Sequence, residues 1–392
     1  MSKILLFFPK LEEYKDYHHL PITALAVASE LLARGNEVVI HDERVDDSST
    51  LIKKINNANE IMVSAFTGYQ LTRAYEFIKL VKQNTNKKIT IGGPHATALP
   101  QQTLESKYID EVFIGEFDSG ENLLPYHLLD IEKYINPATK RFIYVTSYGC
   151  VGVCTFCATK NKRKLKFLEL DKVEQDIDNL MKIYPFEQAV FFDATAFTIK
   201  ERAHRIAKIM NKHNLKWIAD ARAPEIARLD DGILKDIIDS GLMQLTIGLE
   251  SGSERVVKLM KKGKYHLRDY KLAAEKLKKY NMTMASGVIF GTPGETLDDI
   301  RQSIQYIKEI KQINPNFRIS TTFFKPLPDT ILTDLAKEYG HKEPKSLEEW
   351  VNQGSGSHYN YNHWNDVPWI DNHNEYKAIY DEFRETNKEL FI

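Results

Sequence analysis

The sequence predicts an α/β protein: an open, doubly wound parallel sheet, then a (βα)6 partial TIM-type barrel, then a carboxyl-terminal α-helical and irregular extension. Three observations predict it. Short apolar runs alternate with helical patterns over residues 1 to 116, and a longer alternation of six βα units begins at Arg141. From Pro326 onward that alternation stops and the composition changes. Strand–helix alternation at this spacing makes parallel sheets covered on both faces. With 392 residues, 43% of them apolar, the chain has material for one to three such bodies of about 150 residues each. The boundaries read as 1–125, 126–325 and 326–392.

In the first body, residues 3–8, 37–41, 60–65, 88–91 and 111–114 read as strands. Residues 22–33, 49–56, 71–82 and 99–107 read as the helices between them. Ligands of such sheets sit beyond the carboxyl ends of the strands. Pro9, Thr67-Gly68, Gly92-Gly93-Pro94-His95 and Gly115-Glu116 fall there. The first strand lacks a glycine-rich turn after it, which excludes the dinucleotide fingerprint. Residues 117–140 form a connector with turn signals at Asp118-Ser119-Gly120 and Asn136-Pro137.

In the barrel, strands read at 142–146, 188–192, 216–219, 244–248, 283–290 and 318–323. The clearest helices are 172–183, 200–213, 231–240, 267–280 and 297–310. Barrel sites gather at the carboxyl ends of strands. In the extension, 330–339 and 376–390 read as helices. Between them Tyr359, Tyr361, Trp364 and Trp369 alternate with Asn, Gly and His, as a lid over the barrel mouth or an irregular tail.

Composition narrows the function classes. With 53 basic and 54 acidic side chains the net charge is -1, so no global field draws the chain to nucleic acid or a membrane surface. The apolar run 4–8 is too short for a signal-peptide core, and nothing approaches the ~18 apolar residues of a membrane span. Three cysteines, an odd number, argue against a disulfide framework and for a reducing, cytoplasmic setting.

All three lie in Cys150-Val-Gly-Val-Cys154-Thr-Phe-Cys157, just past the first barrel strand. Three thiolates at this spacing can wrap an iron–sulfur cube and leave its fourth iron without a protein ligand. A structural zinc site is the rival, but zinc closes on four ligands, and no histidine lies between His127 and His204. Three inert cysteines would not predict clustering in one loop.

The triplet, with Phe156 before its third cysteine, resembles the signature of the radical S-adenosylmethionine (SAM) superfamily. The resemblance runs from 142 to about 325. Ile247-Gly248-Leu249-Glu250-Ser251-Gly252 is similar to the family's ribose-contact motif, and Gly287-Val-Ile289-Phe-Gly291-Thr-Pro-Gly294-Glu295 to its adenine motif. The resemblance implies a 4Fe-4S cluster on Cys150, Cys154 and Cys157. It also implies S-adenosyl-L-methionine held by Phe156, Asp193, Arg222, Glu250, Ser251, Ile289, Gly291 and Gly294.

In that reading the Ile289 backbone pairs with an adenine edge, and Glu250 and Ser251 bond sugar hydroxyls or the methionine end. Arg222 grips the methionine carboxylate, and Asp193, supported by Thr195, meets the amine. The segment Phe192-Asp-Ala-Thr195 departs from relatives that carry two acids there. Read alone, the glycines make a tight turn into a helix with Glu295 in its first turn, and Arg222 is a solvated loop arginine. The implied chemistry is reductive cleavage of SAM to a 5′-deoxyadenosyl radical that takes hydrogen from a substrate in a water-excluded barrel.

An open α/β domain ahead of such a barrel resembles the superfamily's cobalamin-binding class, with a flavodoxin-like sheet. Thr67-Gly68, Gly92-Gly93-Pro94-His95 and Gly115-Glu116 match its loops in order and would hold the cobalamin tail. The Asp-x-His-x-x-Gly motif is absent, so no histidine lower ligand is expected, and His95 caps or packs on its loop. Only 33 residues separate Glu116 from Cys150, shorter than the family's usual linker, which keeps a vestigial domain as the alternative.

The resemblance implies a cobalamin-dependent radical SAM methyltransferase acting on an unactivated carbon or phosphorus centre. Its partners would be a small-molecule or peptide substrate and a flavodoxin- or ferredoxin-type electron donor, with no nucleic acid or membrane. A radical cyclase or isomerase and a non-catalytic iron–sulfur redox protein are the alternatives. The basic run Lys160, Lys162, Arg163, Lys164 and Lys166 reads as a solvated face or an anion clamp.

Overall fold

The computed structural model describes residues 1–11, 19–115, 120, 122–158, 165–260, 266–354, 367–370 and 372–391. Glu116, the basic residues 160–164 and the aromatic residues Tyr359, Tyr361 and Trp364 lie outside them. The chain forms two compact units. One comprises 1–143, 168–186 and 343–360; the other comprises 144–167, 187–342 and 361–392.

In the first unit β1 (Lys3–Phe8), β2 (Glu37–Asp42), β3 (Glu60–Ser64), β4 (Lys88–Gly92) and β5 (Glu111–Val112) form a parallel sheet in the order β2-β1-β3-β4-β5. The order reverses between β1 and β3, which parts the loops at their carboxyl ends and opens a crevice there. The core follows from the apolar runs: Leu5, Phe7, Ile61, Val63, Ile89 and Ile91 are buried, and Phe7 stacks on Phe77 of helix Tyr69–Asn84. The helix expected at 99–107 is instead two short ones, Pro94–Ala98 and Pro100–Leu104. Pro100 has no N–H to continue the first and suits the opening of the second.

Chain order and compactness divide the carboxyl-terminal stretch differently. Leu347, Trp350 and Val351 of helix Leu347–Gly354 enter the core of the first unit. Thr72 donates its hydroxyl to the Val351 carbonyl at 2.9 Å, and the Tyr75 and Ser106 hydroxyls donate to the Glu348 carboxylate. Helix His373–Thr386 belongs to the second unit. Eight residues offer too few turns for a period to show, so the sequence hides the first of these helices.

The second unit is a partial barrel. The strands of its sheet, β6 (Arg141–Tyr144, on the boundary between the units), β9 (Gln188–Phe191), β10 (Lys216–Ala221), β11 (Leu242–Ile247), β12 (Thr283–Phe290) and β13 (Phe317–Phe323), lie side by side in chain order. Between the first two, β7 (Ser147–Tyr148) and β8 (Lys166–Phe167) pair antiparallel as a separate small ladder. Alternation fixes which side chains face inward. On β10, Trp217, Ala219 and Ala221 are buried beneath helices, so Ile218 and Asp220 face the lumen. Phe391 bridges to Ile319 on the outer edge of β13, and Tyr380 packs edge-on against Phe290 and Phe323.

Candidate functional site

The loop closed by β7 and β8 carries Cys150, Cys154 and Cys157, all half-buried and none in a disulfide. Its base is pinned. The fully buried Asp193 carboxylate accepts from the Thr146 N–H at 3.0 Å, from the Thr146 hydroxyl at 2.9 Å and from the Ser147 hydroxyl. Arg202 donates to the Thr146 carbonyl at 2.7 Å and lies 4.8 Å from the centre of the Phe167 ring. Its middle is pinned too. Thr155 donates its N–H to the Met260 carbonyl and its hydroxyl to the Leu259 carbonyl, and accepts from the Leu332 N–H at 3.0 Å.

At Gly152 the loop bends tightly. A Cβ there would sit 3.3 Å from Cys150 Sγ and 3.6 Å from Cys154 Sγ, so these two thiols converge around the glycine. Among the described residues no three His, Cys, Asp or Glu side chains gather on a single metal ion. Structural zinc takes four ligands on one ion, whereas an iron–sulfur cube takes its thiolates on separate irons. The donor set, three reduced sulfurs in one anchored loop, fits an iron–sulfur cluster.

Around the barrel mouth the expected SAM contacts separate into two groups. Phe156 is half-buried beside the third cysteine. Glu250 has φ +63°, accepts from the Ile289 N–H at 2.8 Å and lies beside β12 through a bridge to Val288. Its carboxylate oxygen Oε2 lies 4.0 Å from where a Gly287 Cβ would be, so the glycine leaves it room on the lumen side. Arg222 is half-buried and caps helix Ala223–Arg228.

Three assignments change. Asp193 and Thr195 do not present free groups to a methionine amine. The first spends its oxygens on Thr146 and Ser147, and burial pushes its carboxyl up despite those donors. Thr195 is fully buried and donates to Glu225 at 2.9 Å. Ser251 is likewise buried, sharing a hydrogen bond with Ser303 at 3.0 Å and accepting from the Ser253 N–H. Close packing explains it: a Cβ on Gly252 would meet Ser303 and Tyr306 at 2.7 and 2.6 Å. The Ile289 N–H is already taken by Glu250, so an adenine edge cannot use it without displacing that bond.

The glycine-rich turn follows β12. Gly291 and Gly294 have φ of +67° and +79°, and Glu295 precedes the cap residue Thr296 of helix Leu297–Ile313 rather than entering its first turn. The Glu295 carboxylate is buried and turns back to accept from the N–H groups of Gly291 and Thr292. Burial pushes it up to about 7.

Asp220 was not singled out by its motif. It faces the lumen on β10 and bonds with Thr246 of β11. Burial, with the nearby Asp193 charge adding to it, pushes its carboxyl up to about 6. The signal in the sequence was an acid alternating with Trp217, Ala219 and Ala221.

In the first unit Thr67, Gly68, Gly92, Gly93, Pro94, His95 and Gly115 all lie at the carboxyl ends of β3, β4 and β5. The Thr67 hydroxyl meets His95 Nδ1 at 2.9 Å, and the buried imidazole packs edge-on against Trp350. Burial lowers its pKa to about 4 and keeps it neutral. Its Nε2 is sealed from solvent, so it offers cobalt no ligand. Gly93 is required by space: a Cβ there would lie 2.7–2.9 Å from Ser64 Oγ and the Ala65 backbone. Beside these loops Phe66 and Ile114 are 54% and 61% exposed. Open apolar side chains flanking bare backbone suit a large flat ring and its tail, so the residues fit cobalamin.

Three cysteines in one anchored loop at the mouth of a parallel barrel, with Asp220 and Glu250 on the lumen side, are the donor set of an iron–sulfur protein. Comparison with known proteins makes the class specific. A family model described as the radical SAM superfamily matches residues 144–307, and one described as the B12 binding domain matches residues 13–124. The chain thus carries a radical SAM domain and, ahead of it, a B12-binding domain.

An uncharacterized methyltransferase of Pyrococcus horikoshii is 24% identical over 369 residues, 81% of this chain and 78% of that one. A tRNA-2-methylthio-N(6)-dimethylallyladenosine synthase of Sulfurihydrogenibium is 23% identical, covering 79% and 71%. The solved radical SAM methyltransferase TsrM of Kitasatospora setae, with cobalamin and a [4Fe-4S] cluster bound, superposes with a TM-score of 0.70. It is 14% identical and covers 90% of this chain and 85% of that one. With a tRNA-modifying protein among the relatives, net charge alone does not exclude nucleic acid. No helix among the described residues is long and apolar enough to cross a membrane.

Proposed function

We propose that this chain is a cobalamin-dependent radical SAM methyltransferase acting on an unactivated carbon or phosphorus centre. The substrate is a small molecule or peptide, the setting a low-oxygen cytoplasm, and the electron donor a flavodoxin or ferredoxin. The observation that supports it is one chain uniting an anchored, reduced three-cysteine loop with a β2-β1-β3-β4-β5 sheet whose glycine loops are flanked by open apolar side chains. The names borne by its relatives supply methyl transfer as the reaction class.

Cys150, Cys154 and Cys157 would hold the cluster. Phe156, Arg222, Glu250 and the backbone of 287–294 would hold SAM, and Thr67, Gly68, Gly92, Gly93, Pro94, Gly115 and Glu116 would hold cobalamin. Bound there, these groups supply one-electron cleavage of the sulfonium and a transferable methyl group. The chain supplies position. Asp193, Arg202 and Thr155 fix the cysteine loop at its base and middle. Glu250 offers a carboxylate to ribose hydroxyls, and Asp220 offers an acceptor to a hydrogen-bond donor of the substrate.

Anaerobic reconstitution with iron, sulfide and hydroxocobalamin, followed by reduction with excess SAM, tests this. Corrin absorbance should stay with the protein, and both 5′-deoxyadenosine and S-adenosylhomocysteine should form. Deoxyadenosine alone would indicate a radical reaction of another type. Neither product would overturn the enzyme reading.

A further inference from the structure

Trp369 and Tyr376 are far along the chain from the adenine motif, yet they hold its turn. The Trp369 indole, 5% exposed, donates Nε1–H to the Gly291 carbonyl at 2.7 Å. The Tyr376 hydroxyl, on a side chain 1% exposed, accepts from the Gly291 N–H and donates to Glu295 Oε2, each at 2.7 Å. Both backbone groups of one glycine are therefore met by two buried aromatic side chains.

That glycine is the residue least able to hold itself. At φ +67° it has no side chain to limit its dihedrals, so its conformation depends on what its peptide groups bond. An indole N–H and a phenol O–H must also find partners when buried. Each requirement here satisfies the other, and only while the turn keeps this shape. Packing closes around it. Ile370 and Phe323 lie 3.5 and 3.6 Å from where a Gly291 Cβ would be, and Phe324 packs edge-on against Trp369.

We propose that Trp369 and Tyr376 are positioning residues for SAM: the carboxyl-terminal segment sets the shape of the adenine-binding turn. The inference rests on reading residues 287–295 as the adenine motif. It gives Trp369, at the end of the stretch read as a lid, work on the cofactor rather than the substrate.

The test uses the reconstituted full chain and equilibrium dialysis under anaerobic conditions, with SAM and, separately, L-methionine as probes. Y376F keeps the ring and removes the hydroxyl, whereas W369F replaces the indole by a smaller ring and removes its N–H. SAM binding should weaken about 3–10-fold in each, the cost of one or two such bonds. L-Methionine binding, iron content and corrin absorbance should not change. Unchanged SAM affinity in both variants overturns the proposal, as does equal weakening of methionine and SAM. A wild-type protein that binds no SAM overturns the family reading of the motif instead.

Discussion

Two glycine turns, one after β4 and one after β12, solve the same problem by different means. At Gly93 the turn is held by crowding: the backbone of Ala65 and the Ser64 hydroxyl press so close that no Cβ fits. At Gly291 the nearest side-chain atom is in ordinary contact, 3.5 Å from a Cβ position, and the turn is held by hydrogen bonds with Glu295, Trp369 and Tyr376. A crowded turn is set by neighbours on the same sheet. A tethered turn depends on residues more than 70 positions away, such as Trp369, and on the charge state of a buried acid.

The largest effect should come from separating the two sites altogether. C154A should lose its iron–sulfur chromophore and all deoxyadenosine formation, yet retain corrin absorbance, because the glycine loops and the cysteines belong to different compact units. Loss of both chromophores would show that the two sites are not independent.

Crowding comes next. G93A should destabilise the protein by about 3 kcal/mol or more, from a backbone clash added to a dihedral only glycine adopts readily. Gly115 also has a positive φ, of +105°, but a Cβ there meets nothing within 4 Å. G115A should therefore cost only about 1–2 kcal/mol, the dihedral alone. Equal urea midpoints for the two variants would show that space is not what distinguishes them.

The tethered turn should respond to pH. Glu295 titrates near 7 in the folded chain, against 4.5 when free, so the folded state favours its neutral form. That contribution is fully present below the unfolded value and is lost as pH rises through 7. Unfolding free energy should fall between pH 5 and 8 by up to about 3 kcal/mol, the ceiling for a shift of that size. E295Q, neutral throughout, should flatten this dependence. A wild-type slope that persists in the variant would place the titration elsewhere.

Much of this was legible in the sequence because strands and motifs are local. Residues 3–8 and 283–290 read as strands to the residue, and the cysteine spacing pointed to the loop between β7 and β8. The side-chain roles were less legible. Asp193, Thr195 and Ser251 sit in the right segments but turn inward to neighbours the motif does not contain, namely Thr146, Glu225 and Ser303. Asp220 went unseen because its meaning lies in which face of β10 it occupies. Trp369 and Tyr376 could not be read at all, since their partners are distant in sequence.

Phe391 carries a last consequence. A partial barrel ends in strands with one unpaired side, and a flat exposed strand edge is a template for a second copy of the chain. The bridge from Phe391 to Ile319 occupies part of that edge on β13. Deleting residues 387–391 would uncover that part of the edge and invite edge-to-edge association.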